Sequence, residues 1–379
     1  MMKKDRPGNK QFWRDAVFIS LTLAGLAALT RAANSLYATP HGRFPAVMIS
    51  VMRSREMLDN PGVTGYYEML FAATPRVGKN YIYDHSFRMY RFKPNLTWEH
   101  DLVSTNGFGL VGRECSERKP PHTRRIALLG DSVTVGHMVR ANQTFAALLE
   151  DKLNADSAGG PLQRFEVLNF ATIAYTLPQI LDVAKEEAPR FDPDVYMLDL
   201  TELSVFRSWD RHLVQLIQSG IDPKYEFLRE TLRRAKVSQQ DDALTLYGKL
   251  APYRIPILWA TLAEMKSNAA LHHASFFVVL MPSVDPGDLS KKRFVGIREL
   301  LTSLGIPFID TLGTFDGILQ TGAIAAFPGD PHPNAQGHAM IYRNLYAELR
   351  AQPEVWNLLV GEAASGTDQR SVSSAGQSF

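Results

Sequence analysis

Short apolar runs recur along the last two-thirds of the chain, and each has the length of one buried strand. Because these runs are apolar throughout and do not alternate with polar residues, both faces of each strand are expected to be covered, as in a parallel sheet. Amphipathic stretches with helical spacing separate them, which predicts a doubly wound α/β fold. The runs are Ile126–Leu129, Val167–Phe170, Val195–Leu200, Phe276–Met281 and Pro307–Ile309, and the helical stretches are Phe145–Leu153, Ile180–Ala188, Ile257–Ala270, Phe294–Leu304 and Ala339–Leu349.

The remaining parts of the chain do not follow this alternation. Residues 34–120 contain several prolines and predict an accessory segment packed against a main domain over 121–352. The interval 204–253 is too long and too charged for a simple crossover. It predicts a helical insertion at the C-terminal edge of the sheet, where it would shape substrate access. Residues 353–379 are predicted to be a largely disordered tail, since their last part is rich in Ser, Gly and Ala.

The N-terminus has the pattern of a membrane-targeting segment. Residues 1–15 hold five Lys or Arg and two Asp, and an apolar stretch follows over 16–33. This stretch is slightly shorter than the roughly 20 residues of a typical spanning helix, so it is an anchor or a signal segment. Basic residues before it predict a cytoplasmic tail and an extracytoplasmic main domain. We therefore expect a single-pass protein of the inner membrane whose main domain lies on the periplasmic side.

Composition narrows the kind of chemistry that the chain can perform. The 41 Lys and Arg nearly balance the 39 Asp and Glu, for a net charge of +2, which argues against a strongly basic nucleic-acid binder. Cys115 is the only cysteine in the sequence, so an intrachain disulfide framework and a cysteine-rich metal site are excluded. Chemistry is expected from Ser, His, Asp and Glu.

Two short motifs combine into a candidate catalytic site. Ser132 follows the first predicted strand directly, at the C-terminal end where open α/β sheets place their sites. Asp330 and His332 stand one residue apart on a proline-fixed loop before the last predicted helix. This spacing lets the carboxylate reach Nδ1 of the imidazole and leaves Nε2 free for a serine hydroxyl. Each motif alone is typical of an ordinary turn, but together they predict a Ser-His-Asp site.

On these residues the chain resembles the SGNH, or GDSL, hydrolase superfamily over roughly residues 124–350. The resemblance rests on the Gly130-Asp131-Ser132 block, on the Asp-x-His-Pro-Asn-x-x-Gly-His block over 330–338, and on their order. It implies a flavodoxin-like three-layer sandwich and hydrolysis or transfer of an acyl group without a cofactor. By the same resemblance, Ser132 is the nucleophile, His332 the general base and Asp330 its orienting partner.

Two further blocks depart from the pattern of this family. In the block over 167–176, which includes Asn169, Ala174 stands where the family usually has glycine, although an alanine can still donate its backbone N–H. The block that normally carries an asparagine oxyanion donor falls at Thr201 and Glu202. We expect the Thr201 hydroxyl to replace that asparagine, and Glu202 to bind a substrate hydroxyl or to be structural. Asn169, Ala174, Thr201 and Glu202 are thus the predicted oxyanion or substrate-binding residues.

Two functions fit this sequence. The first is a membrane-anchored serine esterase or O-acyltransferase that acts on small acyl groups such as acetyl. The resemblance and the N-terminal anchor suggest an envelope or extracellular glycan as the substrate, and partner proteins of envelope polysaccharide synthesis. The second is a catalytically weak binding or assembly subunit of a polysaccharide-processing complex, which the missing asparagine motivates. No nucleic-acid partner is expected.

Two other signals have simpler interpretations. Gly107–Gly112 matches G-x-G-x-x-G, but Pro120 and Pro121 end the helix that a dinucleotide site requires. A glycine-rich hairpin is predicted there. His332 and His338, together with Asp330, could suggest a metal site, but His338 is expected to pack or cap at the start of the last helix.

Overall fold

The computed structural model describes most of the chain after the N-terminal 79 residues. None of the helices in the described part is both long and apolar enough to span a bilayer. The predicted anchor at 16–33 lies outside the described residues, as do residues 34–79 of the accessory segment and residues 362–379 of the tail. The described ranges are 80–98, 102–158, 164–207, 209–284, 289–318, 321–327 and 330–361.

Two small antiparallel pairs of strands precede the main sheet. Thr105 and Val111 then pair across a tight turn, so the glycine-rich motif at Gly107–Gly112 forms a hairpin as predicted. Val111 also donates its backbone N–H to the carbonyl of Asn169 at 3.1 Å, which attaches this hairpin to the main sheet. The strands are β1 (Tyr81–Tyr83) with β2 (Tyr90–Phe92), and β3 (Thr97–Trp98) with β4 (Val103–Ser104).

A parallel sheet of five strands forms the centre of the main domain, in the order β6-β5-β7-β8-β9. All five predicted strands are present, and their ends differ from the prediction by a few residues. The chain moves from β5 outward to β6 and then returns to the other side of β5 for β7. The carboxyl end of β5 is therefore a topological switch point, where open α/β sheets bind ligands. The strands are β5 (Thr123–Leu129), β6 (Arg164–Asn169), β7 (Val195–Leu200), β8 (Ser275–Leu280) and β9 (Phe308–Asp310).

Helices cover both faces of this sheet and make up the insertion. The predicted helices between strands are all present, and the insertion over 204–253 is helical as expected, beginning with a π-helical turn at Leu203–Arg207. The helices are α1 (Ser132–Val135), α2 (Phe145–Asp156), α3 (Leu177–Glu186), α4 (Arg211–Ser219), α5 (Glu226–Arg234), α6 (Ala243–Leu250), α7 (Arg254–Leu271), α8 (Leu289–Arg293), α9 (Val295–Ser303), α10 (Ala335–Ala351) and α11 (Pro353–Val360).

The main core lies between one face of the sheet and helices α2, α10 and α11. Alternate residues of β5, such as Ile126 and Leu128, point into this core, as the pleat of a strand requires. Val355 and Leu359 of α11 are buried in the same core. The ordered domain therefore extends past the predicted boundary at residue 352, because α11 carries apolar side chains at helical spacing that the core takes up.

Candidate active site

A sharp turn from strand β5 into helix α1 presents Ser132. A Cβ atom at Gly130 would lie 2.0 Å from Thr134 Oγ1, so only glycine fits there. The next residue, Asp131, caps α1 by accepting the backbone N–H of Val133 at 3.1 Å. The serine thus stands at the first position of α1, at the switch point of the sheet.

The loop before α10 holds His332 and Asp330. Asn334 caps α10 by accepting the backbone N–H of Gln336 and Gly337 at 2.9 and 3.1 Å. Upstream of this cap, Asp330 Oδ1 accepts both the backbone N–H of His332, at 2.7 Å, and its Nδ1–H, at 2.5 Å. Because one oxygen binds both groups, the imidazole is fixed in orientation.

The fold brings these two elements together. Ser132 Oγ lies 2.8 Å from His332 Nε2, although 200 positions separate the two residues in the chain. The hydrogen bond of Nδ1–H to Asp330 makes Nε2 the basic nitrogen, so it accepts the serine hydroxyl. All three side chains are buried, and Ser132 is 2% exposed. The arrangement can transfer a proton from serine to imidazole, which is the first requirement for a serine nucleophile.

Burial lowers the pKa of the His332 imidazole below its ordinary value of 6.5, and His338 adds to this effect. The Asp330 carboxylate acts in the opposite direction, since it stabilises the imidazolium. With the pKa lowered, the imidazole is neutral at pH 7. The neutral form is the one that can accept a proton.

We expect this pKa shift to set the acidic limb of the pH profile for ester hydrolysis. A base is active only when it is deprotonated, so a lowered pKa keeps His332 active as the pH falls below 6.5. The value of kcat/KM should be half-maximal at a pH below 6.5, measured between pH 4 and 8 after subtraction of the rate of Ser132→Ala. A half-maximal point at or above pH 6.5 would show that the imidazole titrates like an exposed histidine.

Thr201 binds the carboxylate of Asp131. Its hydroxyl donates to the second carboxylate oxygen of Asp131 and accepts the backbone N–H of Ser204 at 3.2 Å. The single hydroxyl hydrogen is therefore directed at the Asp131 carboxylate, and an oxyanion role for Thr201 stays a prediction. Burial raises the pKa of Asp131 to about 6, while its hydrogen bonds to Thr201 and Val133 oppose this shift.

Glu202 forms an ion pair with Arg293, at the end of α8. The Glu202 side chain is 3% exposed and that of Arg293 is 28% exposed, so the ion pair is part-buried. Glu202 lies just after strand β7 in the chain. Of the two expectations for Glu202, a structural role agrees with this pairing.

Asn169 joins two loops. Its Nδ2 donates to the carbonyl of Thr134 at 2.8 Å, and its Oδ1 accepts the backbone N–H of Ala171 at 3.0 Å. Both ends of the amide therefore bind backbone groups, and a substrate-binding role for Asn169 stays a prediction. The signal in the sequence was its place at the carboxyl end of a strand, which suits a structural amide equally well.

Ala174 has a left-handed backbone, with φ of +61°. Residues with a Cβ atom adopt this conformation rarely, whereas glycine adopts it readily. The structure thus gives a physical reason for glycine at this position of the family block. The Ala174 carbonyl accepts Nη2 of Arg211 at 2.9 Å.

Three further buried groups lie around the site. The His137 ring packs edge-on against His332 with 5.0 Å between centroids. Thr134 donates to Asp199 at 2.8 Å, and burial raises the pKa of Asp199 well above its ordinary value. A charged residue inside the apolar run Val195–Leu200 was the available signal for Asp199.

His338 supports helix α2. Its Nδ1 accepts the backbone N–H of Phe145 at 3.2 Å, and its ring stacks on the Phe145 ring. This agrees with the packing or capping role predicted for it.

Comparisons with known proteins concern the fold. No protein-family model and no curated protein matches the chain. Similar solved structures include the psychrotrophic esterase EstA from Pseudoalteromonas sp. (12% identity, 60% of this chain, 97% of that chain, TM-score 0.37). They also include LAE5, an α/β hydrolase enzyme from the metagenome of Lake Arreo, Spain (18%, 59%, 94%, 0.40), and the acetylxylan esterase Axe2 from Geobacillus stearothermophilus (15%, 59%, 93%, 0.41). At these identities and TM-scores, the similarity does not assign an activity to the chain.

Proposed function

We propose that this protein is a serine hydrolase of the SGNH type that cleaves or transfers small acyl esters. The observation that supports it most is the chain of contacts from Ser132 Oγ to His332 Nε2, at 2.8 Å, and from His332 Nδ1 to Asp330, at 2.5 Å. A nucleophile, a base and an orienting acid in this order are the parts that acyl transfer through serine requires. Their place at the switch point of a parallel sheet is a second support.

The reaction follows from these positions. Ser132 Oγ attacks the acyl carbonyl while His332 Nε2 takes the hydroxyl proton, and Asp330 stabilises the imidazolium. His332 then gives the proton to the leaving alcohol as its bond to the acyl carbon breaks. The acyl group is then bound to Ser132 Oγ as an ester. Water, or a second alcohol, attacks this ester by the same steps in reverse and frees Ser132. The backbone N–H groups of Ser132 and Ala174 are the proposed donors to the oxyanion.

The proposed substrate is a small O-acyl group, such as acetyl, on an envelope or extracellular glycan. The proposed location is the periplasmic side of the inner membrane, with residues 16–33 as the anchor. The basic residues before this stretch and its apolar length support that topology. Proteins of envelope polysaccharide synthesis are the proposed partners.

A second candidate is a binding or assembly subunit of low catalytic power. The contacts of Thr201 and Glu202, at the place of the family's asparagine donor, favour this candidate. Thr201 binds Asp131, and Glu202 binds Arg293. These pairings support the view that neither side chain acts as the oxyanion donor that the resembling family has here. The loss of one such donor lowers kcat by about 10²- to 10³-fold in a comparable site.

The full-length protein in detergent micelles separates the two functions. We expect steady hydrolysis of p-nitrophenyl acetate, well above the rate of the Ser132→Ala protein. With an acetylated oligosaccharide as donor and an unacetylated one as acceptor, mass spectrometry then distinguishes released acetate from transferred acetyl. Binding of the acetylated oligosaccharide with no Ser132-dependent turnover of either substrate would favour the binding subunit.

A further inference from the structure

Two segments outside the strands of the main sheet hold the loop over 171–176, which carries Ala174. Tyr90, on β2, donates its hydroxyl hydrogen to the carbonyl of Ile173 at 3.0 Å. Arg211, at the start of α4 in the insertion, donates from Nη2 to the carbonyl of Ala174 at 2.9 Å. Two consecutive carbonyls of the loop are therefore bound by side chains from two different accessory segments.

Further contacts connect these side chains with one another. Tyr175, the next residue of the loop, donates its hydroxyl to the carbonyl of Tyr90, and the two rings pack edge to face at 5.2 Å. The Arg211 side chain also hydrogen-bonds the Tyr90 hydroxyl. Tyr90 is 6% exposed and Tyr175 is 3% exposed, so these hydrogen bonds are shielded from water. Removal of a donor leaves a buried carbonyl unsatisfied, which is costly.

The held conformation is one that alanine does not favour. Ala174 has φ of +61°, in the region where a Cβ atom is unfavourable, and a residue keeps such a conformation only where its surroundings fix it. In a trans peptide the C=O of one residue and the N–H of the next point in opposite directions. The hydrogen bond from Tyr90 to the Ile173 carbonyl therefore directs the Ala174 N–H away from β2.

We propose that Tyr90 and Arg211 are positioning residues that set the direction of the Ala174 N–H. This inference rests on the proposed function, in which that N–H binds the oxyanion. It gives the accessory segment and the insertion a role in the reaction, since each supplies one of the two side chains. Because the oxyanion forms only along the reaction path, an N–H that is misdirected lowers kcat more than it raises KM.

The test is Tyr90→Phe in the full-length protein. The substitution removes one oxygen and keeps the ring that packs on Tyr175. We expect kcat for p-nitrophenyl acetate to fall about tenfold, the scale of one buried hydrogen bond, with KM changed by less than about twofold. The matched control is Tyr83→Phe on β1, whose side chain is 53% exposed and whose substitution should leave both constants unchanged.

A second substitution separates positioning from a general structural effect. Glycine adopts positive φ without the penalty of a Cβ atom, so Ala174→Gly should reduce the dependence on Tyr90. We expect Tyr90→Phe to lower kcat by about threefold or less in the Ala174→Gly background. An equal loss in both backgrounds, or no loss in either, would overturn the positioning role.

Two further comparisons separate a failure of the positioning role from a folding defect and from a failure of the proposed function. If Tyr90→Phe does not fold, Arg211→Gln removes the donor to the Ala174 carbonyl and should show the same kcat loss and the same rescue by Ala174→Gly. If wild-type turnover equals that of Ser132→Ala, the proposed function fails. If turnover depends on Ser132 but not on Tyr90 or Arg211, only the positioning role fails.

Discussion

Replacement of Ser132 by alanine should lower kcat for p-nitrophenyl acetate about 10⁴-fold or more. The reason is geometric, since the serine Oγ lies 2.8 Å from His332 Nε2, and alanine leaves the base with no hydroxyl to activate. His332→Ala should have a loss of similar size, because the two residues act as a unit. The measurement is steady-state hydrolysis followed at constant pH.

The matched control for this prediction is a serine elsewhere in the domain. Ser157, after helix α2, donates its hydroxyl to the carbonyl of Leu153 at 2.7 Å. Ser157→Ala removes a hydroxyl in the same way, and kcat should stay within about twofold of the wild type. If Ser132→Ala retains wild-type turnover, Ser132 is not the nucleophile.

Replacement of Arg125 by methionine should destabilise the main domain by about 3–5 kcal/mol. Arg125 is fully buried in β5, where its Nε binds Glu166 at 2.6 Å and its other nitrogens bind the carbonyls of Ser116, Glu117 and Phe191. Methionine fills similar space but leaves the Glu166 carboxylate and three carbonyls without this donor. Chemical denaturation followed by circular dichroism measures the free energy of unfolding.

Arg164 provides a control on the same carboxylate. Its Nη2 lies 3.1 Å from Glu166, but its side chain is 57% exposed. A water-exposed ion pair contributes little, so Arg164→Met should lower the free energy of unfolding by less than about 1 kcal/mol. Equal losses for the two arginines would contradict the conclusion that the buried hydrogen bonds of Arg125, which join the sheet to the preceding loop, stabilise the domain more than an exposed ion pair does.

The strands of the sheet could be predicted because burial on both faces leaves a local signature, the short apolar run. Their ends could not be predicted equally well. The run in β5 begins at Ile126, whereas the strand begins at Thr123, because the charge of Arg125 is paired with Glu166 in the fold. A charged residue normally marks the end of a buried strand, because burial of an unpaired charge is costly. In this fold the ion pair with Glu166 of β6 offsets that cost for Arg125.

Some residues of the site could also be predicted from the sequence, and others could not. Ser132 and His332 could be proposed from the sequence because each belongs to a motif whose place at a strand or helix end is local. The partner of the Thr201 hydroxyl could not, because Asp131 lies 70 positions away in the chain and meets Thr201 only where β5 and β7 pair. The left-handed backbone of Ala174 could not be predicted from the alanine itself, because side chains from two distant segments hold the loop, and the only signal was the glycine that the resembling family has at this position.

The most direct test of the central claim, that His332 activates Ser132 as a nucleophile, is the mass of the full-length protein after treatment with a fluorophosphonate. We predict one adduct for each chain, located on Ser132 by peptide mapping. The adduct should be absent in Ser132→Ala and should form far more slowly in His332→Ala. An adduct on another residue, or labelling of Ser132 at the same rate without His332, would contradict it.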